Sequence, residues 1–517
     1  MTVQPVFPST PSSASNRPVR RQALRAAAAA GVACALLAGC KVGPNYAPPQ
    51  VQTPAAFAEA VPGLSTQPTT NPSASAAMLA TWWQVFGDEQ LNSLVMRALQ
   101  QNLDLRIAAS RVIEARAILG VNRSFLLPAL DGTGGYEFRR SSRNTARGGG
   151  GSGSGFSIDP DSEIWSAGFV ASWEIDVFGR VRRGIEASEA DFMASVEDRR
   201  DILVSLLADV ARNYIELRGA QAQLEILQRN LQTQEQTLEL TRSRFRAGLT
   251  SDLDVARAET QTMNTRAEIP PAEDRIRQSI RRLSVLLGQQ PESLYEELEA
   301  GRAIPSAATD LTVGVPSELL RRRPDIRRAE RVLASSVAQI GVATADLFPR
   351  FSLTGDFGWS AEDGKNLFDD RSFGWSIGPA VRWQLLNFGR VTGNIEAARA
   401  RADQAIDQYE LTVLRSLEES ENAIGSYRRE MQRREALASA VQSSQRAVDL
   451  ANQLYRQGLT AFQDVLDAQR VLLAAESALS TSDQTISANL VAVYRALGGG
   501  WDPQLPPPES GPVVRFP

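Results

Sequence analysis

At 517 residues, 43% hydrophobic and 22% charged, the chain has the composition of a folded protein, and a formal net charge of -4 offers no basic field for nucleic acid. Histidine is absent and cysteine occurs only at Cys34 and Cys40, which removes the commonest general base, the imidazole metal ligands and the Ser-His and Cys-His arrangements. No catalytic group, metal site or cofactor is expected.

Residues 1–39 read as a lipoprotein signal peptide. Arg17, Arg20, Arg21 and Arg25 precede an apolar run from Ala26 to Gly39 that is too short to span a bilayer comfortably. It ends Leu37-Ala38-Gly39-Cys40, which resembles a bacterial lipobox and implies cleavage before Cys40 and acylation of it, palmitate included. The bland reading is a chance cysteine after an ordinary signal. Lys41 at the next position implies sorting to the outer membrane. Residues 40–85, rich in Pro, Ser, Thr and Ala, are expected to form an extended tether.

Beyond the tether the chain repeats itself. At an offset of 210, Trp165, Gly168, Trp173 and Phe178-Gly179-Arg180-Val181 recur as Trp375, Gly378, Trp383 and Phe388-Gly389-Arg390-Val391. Asp254-Val255 recurs as Asp464-Val465 in the same register. The two copies are assigned to 86–300 and 301–500, with 501–517 as a tail. Each opens with a helix ending at a proline, Pro128 or Pro349, here offset by 221. The difference lies in a longer first-copy loop containing the Gly-rich tract 147–155, which lacks the Gly-Lys-Ser/Thr of a phosphate loop and reads as a flexible tip.

After each proline the pattern alternates. Leu130, Tyr136 and Phe138, then Phe169, Ala171, Trp173 and Ile175, carry the apolar side in the first copy. Phe351, Leu353, Phe357 and Trp359, then Trp375, Ile377, Val381, Trp383 and Leu385, carry it in the second. A half-buried soluble sheet would alternate in the same way. Strands near ten residues, aromatic residues at strand ends and a charged opposite face suit a membrane barrel better. Four strands cannot close around a water-filled lumen, so a barrel requires several chains.

Long helices follow. Val196, Leu203, Val210, Leu217, Leu224, Leu231, Leu238 and Phe245 fall at intervals of seven with no intervening proline. In the second copy Ile406, Val413, Tyr427, Val441, Val448 and Tyr455 keep the stripe, while Ser420 and Arg434 break it. A helix of this length extends roughly 100 Å. Gly248-Leu249-Thr250 and Gly458-Leu459-Thr460 then read as tight tips, each glycine at a left-handed helix end and each Thr beside the next N-cap. Returning helices are expected near 251–287 and 461–496.

The chain resembles the TolC/NodT-type outer membrane factors, in the lipoprotein branch serving resistance-nodulation-division (RND) efflux pumps. The motifs that carry the resemblance are Pro316-Ser317-Glu318-Leu319-Leu320-Arg321-Arg322-Arg323-Pro324-Asp325, Phe348-Pro349, Asn387-Phe388-Gly389-Arg390, Tyr455-Arg456-Gln457-Gly458-Leu459-Thr460 and Tyr494-Arg495-Ala496-Leu497-Gly498. It implies a mainly α fold with membrane β: a homotrimeric 12-stranded outer-membrane β-barrel continuing into a 12-helix periplasmic α-barrel. It also implies an outer-membrane lipid anchor, tips facing a periplasmic adaptor protein, and an inner-membrane RND pump as energy source for a passive duct exporting drugs or other small molecules. The family's constriction acids map onto Asp464 and Asp467, three residues apart on one helix face, where several chains would converge carboxylates able to bind a cation or hold a proton. Tyr455, Asp254 and Arg257 are associated with this gate. For Asp464 a plain helix-cap role competes, since Asp254 occupies the equivalent position. The counterpart of Asp467 is instead Arg257, and a contact between those two is expected to hold the tips closed. Alternatives are a type I secretion or metal-efflux duct and, from another class, a lipid-anchored coiled-coil scaffold.

Overall fold

In each copy a tryptophan fastens the place where helix gives way to strand. The indole Nε1 of Trp173 donates to the Leu126 carbonyl at 3.0 Å, and that of Trp383 to the Leu347 carbonyl at 3.1 Å, each carbonyl two residues before its proline. These bonds belong to a computed structural model that describes residues 40–52, 54, 56–59, 64–65, 79–140, 142, 161–307, 311–312 and 322–501. The signal segment, the Gly-rich tract 147–155 and the motif residues Pro316–Arg321 lie outside the described residues.

The described elements run as β1 (Leu64–Ser65), a 3-10 turn (Trp82–Phe86), α1 (Glu89–Gln101), α2 (Leu103–Ser124), β2 (Ala129–Arg140), β3 (Asp161–Ile175), α3 (Arg180–Arg246), α4 (Asp252–Ala267) and α5 (Ile269–Leu286). They continue as α6 (Tyr295–Leu298), β4 (Leu311–Thr312), α7 (Pro324–Ala345), β5 (Arg350–Ala361), β6 (Phe373–Arg382), α8 (Arg390–Gln457) and α9 (Phe462–Ala496). The chain divides into two compact units. One comprises 1–46, 118–189 and 335–402, and the other 47–117, 190–334 and 403–517.

The first unit holds an antiparallel sheet of order β2-β3-β5-β6. Its register keeps the two faces pure: Tyr136 opposes Trp165, Phe169 opposes Phe357, Phe357 opposes Trp375 and Phe351 opposes Val381. Rings pack along this face, Tyr136 tilted against Trp165 at 4.5 Å and Phe169 stacked on Phe357 at 5.2 Å. The face is uncovered, with Trp375 70% and Ile377 65% exposed. At the β3–β5 contact Gly168 opposes Gly358, and a Cβ built on Gly358 would lie 2.6 Å from the Gly168 Cα. Asp176 then accepts from the Val181 and Arg182 amides at 3.0 and 2.9 Å, capping α3.

The second unit is helical and has its main core where α1, α3, α5 and α9 meet around Trp82, Leu91, Leu94, Leu207, Tyr214, Ile280 and Leu283. Trp82 stacks on Tyr494 with centroids 5.2 Å apart. The breaks in the seven-residue stripe have local reasons: Ser420 is fully buried and bonds the Ser416 carbonyl at 2.8 Å, while Arg434 turns outward to pair with Asp483. Two sequence expectations are corrected. The first-copy return helix is two helices, α4 and α5, because Pro270 and Pro271 cannot donate to the preceding turn. And β6 stops at Arg382, so Trp383 and Leu385 lie beyond the strand.

Candidate functional site

Both helix tips close in the same way. In α3 the Gly248 amide donates to Phe245 at 2.9 Å and the Leu249 amide to Arg244 at 2.8 Å; in α8 the Gly458 amide donates to Tyr455 at 3.0 Å and the Leu459 amide to Leu454 at 2.9 Å. This double bond pattern needs a left-handed residue, and Gly248 and Gly458 have φ of 74° and 75°. It pushes Leu249 and Leu459 outward, 64% and 70% exposed.

The acids beside the tips are caps first. Thr250 donates to Asp254 at 2.6 Å, and Ser251 and Asp254 form a reciprocal capping box at the start of α4. Thr460 donates to Asp464 in the same geometry, but Ala461 has no side chain with which to complete a box. Asp467, one turn on, accepts from Gln463 Nε2 at 3.0 Å and lies 4.0 Å from Arg470. Arg257 lies 3.8 Å from Asp254. The expected Arg257 to Asp467 contact is therefore not formed within the chain: each group is held by a neighbour one turn away on its own helix.

Burial pushes the Asp254 carboxyl up, but the hydrogen bonds from Thr250 and Ser251 and the nearby Arg257 guanidinium outweigh it and hold the group below the usual carboxylate range. A carboxyl depressed on folding stabilises the capped tip above its unfolded value of ~3.9 and loses that contribution as pH falls through the folded value. Below about pH 4, amide exchange at 251–255, corrected for its intrinsic pH dependence, is expected to accelerate. Unchanged protection under those conditions would show that the cap does not depend on the charge.

A residue absent from the sequence reading ties the two tips together. Arg244 of α3 lies 4.7 Å over the Tyr455 ring and donates to the Arg456 carbonyl at 3.1 Å. Tyr455 is buried, packs on Phe462 at 5.4 Å and joins Leu238, Val255, Val465 and Leu466 in a small separate core. The signal was available: 210 residues on from Arg244 stands Leu454, so this is a place where the copies differ.

Arg183 is marked by the same asymmetry between the copies and was likewise absent from the sequence expectations. Its repeat position is Gly393, and its guanidinium, 1% exposed, clasps the segment after Cys40. Nε donates to the Val42 carbonyl at 3.1 Å, and Nη2 to the Gly43 carbonyl and the Asn45 Oδ1 at 3.1 and 2.8 Å. Glu186 accepts from Nη1 at 2.9 Å and pairs with Lys41 at 3.4 Å. Gly43, with φ of 86°, lies so close to Gly341 that a Cβ would sit 2.5 Å from that residue's Cα. Cys40 itself is exposed.

The sequence profile described as "Outer membrane efflux protein" matches residues 94–289 and 315–499. The chain belongs to the outer membrane efflux protein family. It is similar to nodulation protein T of Rhizobium leguminosarum bv. trifolii, 32% identical over 468 residues that cover 90% of this chain and 96% of that one. It is also similar to the toluene efflux pump outer membrane protein TtgI of Pseudomonas putida, 33% identical over 90% of this chain and 96% of the relative. Among solved structures, the outer-membrane channel OprN superposes with a TM-score of 0.81 at 36% identity, covering 90% of this chain and 100% of that one. This outer membrane efflux protein is thus a channel component of an efflux pump with a TolC-like fold, and its work is transport rather than bond chemistry. The scaffold reading is set aside: the apolar sheet face belongs to an outer-membrane channel.

Proposed function

We propose that three copies share one barrel and one helical tunnel, anchored by acylated Cys40, and that the tunnel ends in a gate lined by Asp464 and Asp467. The observation that carries this reading is the four-stranded sheet with one apolar face uncovered and, among the described residues, both edges unpaired. Lipid covers such a face at no polar cost, and only other chains can complete a sheet too narrow to enclose water. The exposed Leu249 and Leu459 give the tips an apolar contact for a periplasmic adaptor, which links the duct to an inner-membrane RND pump. The name of the toluene-pump relative supports small, largely apolar organic compounds as cargo. Asp467 is the stronger gate candidate, because its side chain is 57% exposed and makes no N-cap bond, whereas Asp464 is engaged by Thr460.

Single-channel recording in planar bilayers tests the gate. Asp467→Asn is expected to change conductance or cation dependence by roughly twofold or more, with Asp464→Asn smaller and the double variant largest. Identical traces for all three would remove the carboxylates from the gate. For the anchor, palmitate should label the wild-type chain and not Cys40→Ala; equal labelling would place the lipid elsewhere.

A further inference from the structure

The composition of the N-terminal segment predicts an extended tether, yet its first residues are pinned through their backbone. The Val42 amide donates to the Phe178 carbonyl at 3.2 Å, and the Val42 and Gly43 carbonyls both accept from Arg183, each at 3.1 Å. Burying a guanidinium is costly unless its donors find acceptors, and three of the four bonds that Arg183 makes go to residues 42–45. Without the segment, Glu186 alone of these acceptors would remain. Three glycines make the close approach possible. A Cβ on Gly43 would sit 2.5 Å from the Gly341 Cα, one on Gly341 2.8 Å from the Arg183 side chain, and one on Gly179 2.9 Å from the Lys41 Cα. The second copy is built differently. The repeat mates of Arg183 and Gly341 are Gly393 and Gly120, and a Cβ on either would meet nothing within 4 Å. The Arg183 arrangement therefore lies outside the repeated plan and serves the segment it holds.

We propose that Arg183 is the positioning residue of an anchor clasp: it fixes residues 41–45 so that acylated Cys40 stands at the helix-side end of the apolar sheet face, and it keeps the Lys41–Val42 bond from being cut. The inference rests on the reading that Cys40 is acylated and adds where the lipid is held and by what. Two residues of extended chain reach about 7 Å at most, so Cys40 stays close to Val42. Val42 is bonded to Phe178, whose ring stacks on Phe348 at 4.5 Å and nears Phe351 at 6.4 Å. Phe351 opens the apolar side of β5, so acyl chains leaving Cys40 start beside that face. A single cut after Lys41 would strand the lipid on a dipeptide and free the chain from its anchor. A protease needs the residues around the scissile bond free to extend into its cleft. Lys41 and Gly43 are exposed, so protection comes from bonding rather than burial: the backbone of Val42 and Gly43 is engaged, and Lys41 pairs with Glu186 at 3.4 Å.

The test is limited tryptic digestion of the palmitate-labelled full chain in outer membranes, following by mass the new N-terminus at Val42 and by label the lipid left on the chain. The wild type is expected to keep its label. Arg183→Ala should release the Val42 N-terminus about tenfold faster or more, the consequence of losing charge-assisted hydrogen bonds from the closed state. Gly43→Ala, which leaves Arg183 in place but collides with Gly341, should behave alike. Arg183→Lys should recover only part, because an ammonium cannot fork across these acceptors. Cleavage at Arg246 and Arg456 should stay at the wild-type rate throughout, which a general loss of stability would not allow. Where a variant raises cleavage there as well, Asn45→Ala decides, being short of one bond to Arg183 only: it should speed the Val42 cut several-fold, and a wild-type rate overturns the clasp. Equal rates in the wild type and all variants overturn it too. A wild-type chain without palmitate overturns the acylation on which the purpose of the clasp rests, while the mass reading still decides whether Arg183 holds the segment.

Discussion

Gly358→Val is expected to leave membranes with almost no assembled channel. A Cβ at this position would sit 2.5 Å from the Ala167 carbonyl oxygen and 2.6 Å from the Gly168 Cα, and both neighbours are backbone. Side chains swing away from such contacts; two strands hydrogen-bonded along 11 paired residues do not. Overpacking of a core typically costs about 1–3 kcal/mol, and a backbone clash at the central seam of the sheet belongs at or above the top of that range. Because β3–β5 is the seam between the copies, the loss spreads to both hairpins. The control is Gly374→Ala, whose new methyl meets nothing within 4 Å in the chain, with Gly355→Ala intermediate at 3.3 Å from the Ser376 carbonyl. Oligomer content of outer-membrane extracts on mildly denaturing gels measures the series. Wild-type levels of Gly358→Val oligomer would mean that the strands separate more easily than their register implies.

Arg244→Ala should loosen the tips while leaving the barrel intact. The change removes a cation–π contact at 4.7 Å and a hydrogen bond to the Arg456 carbonyl, and it uncovers Tyr455, whose hydroxyl already has no hydrogen-bond partner among the described residues. Together these contribute about 1–2 kcal/mol to holding the two tips of one chain side by side. That corresponds to a change of about 5–30-fold in the local opening equilibrium. Faster tryptic cleavage near Arg246 and Arg456 and a raised open-channel fraction in bilayers are the expected readouts. Arg244→Lys should recover only part, since an ammonium keeps the charge but not the planar stack on the ring. If cleavage and conductance both match wild type, the tips are held by the small apolar core of Phe462, Val465 and Leu466 alone.

The features that the sequence alone determined are those written in local spacing. The two-residue alternation of β2, β3, β5 and β6, the seven-residue stripe of α3 and α8, the prolines before the strands and the Gly-Leu-Thr tips each arise from backbone geometry within a few residues of the signal. The 210-residue repetition gave the plan of the two copies, and the capping competition at Asp464 was visible because Asp254 stood in the same place. Which distant segments touch is settled by packing across the fold. Gly168 meets Gly358, Arg244 covers Tyr455 and Arg183 grips Val42 and Gly43 across 140 residues or more, and no period in the chain encodes such a partner. Within the chain the anticipated Arg257 to Asp467 pair does not form, because an acid one turn away on the same helix reaches the guanidinium without ordering a second element. Even the end of β6 is a tertiary matter: its pattern runs on to Leu385, but a strand persists only where a neighbour takes its hydrogen bonds.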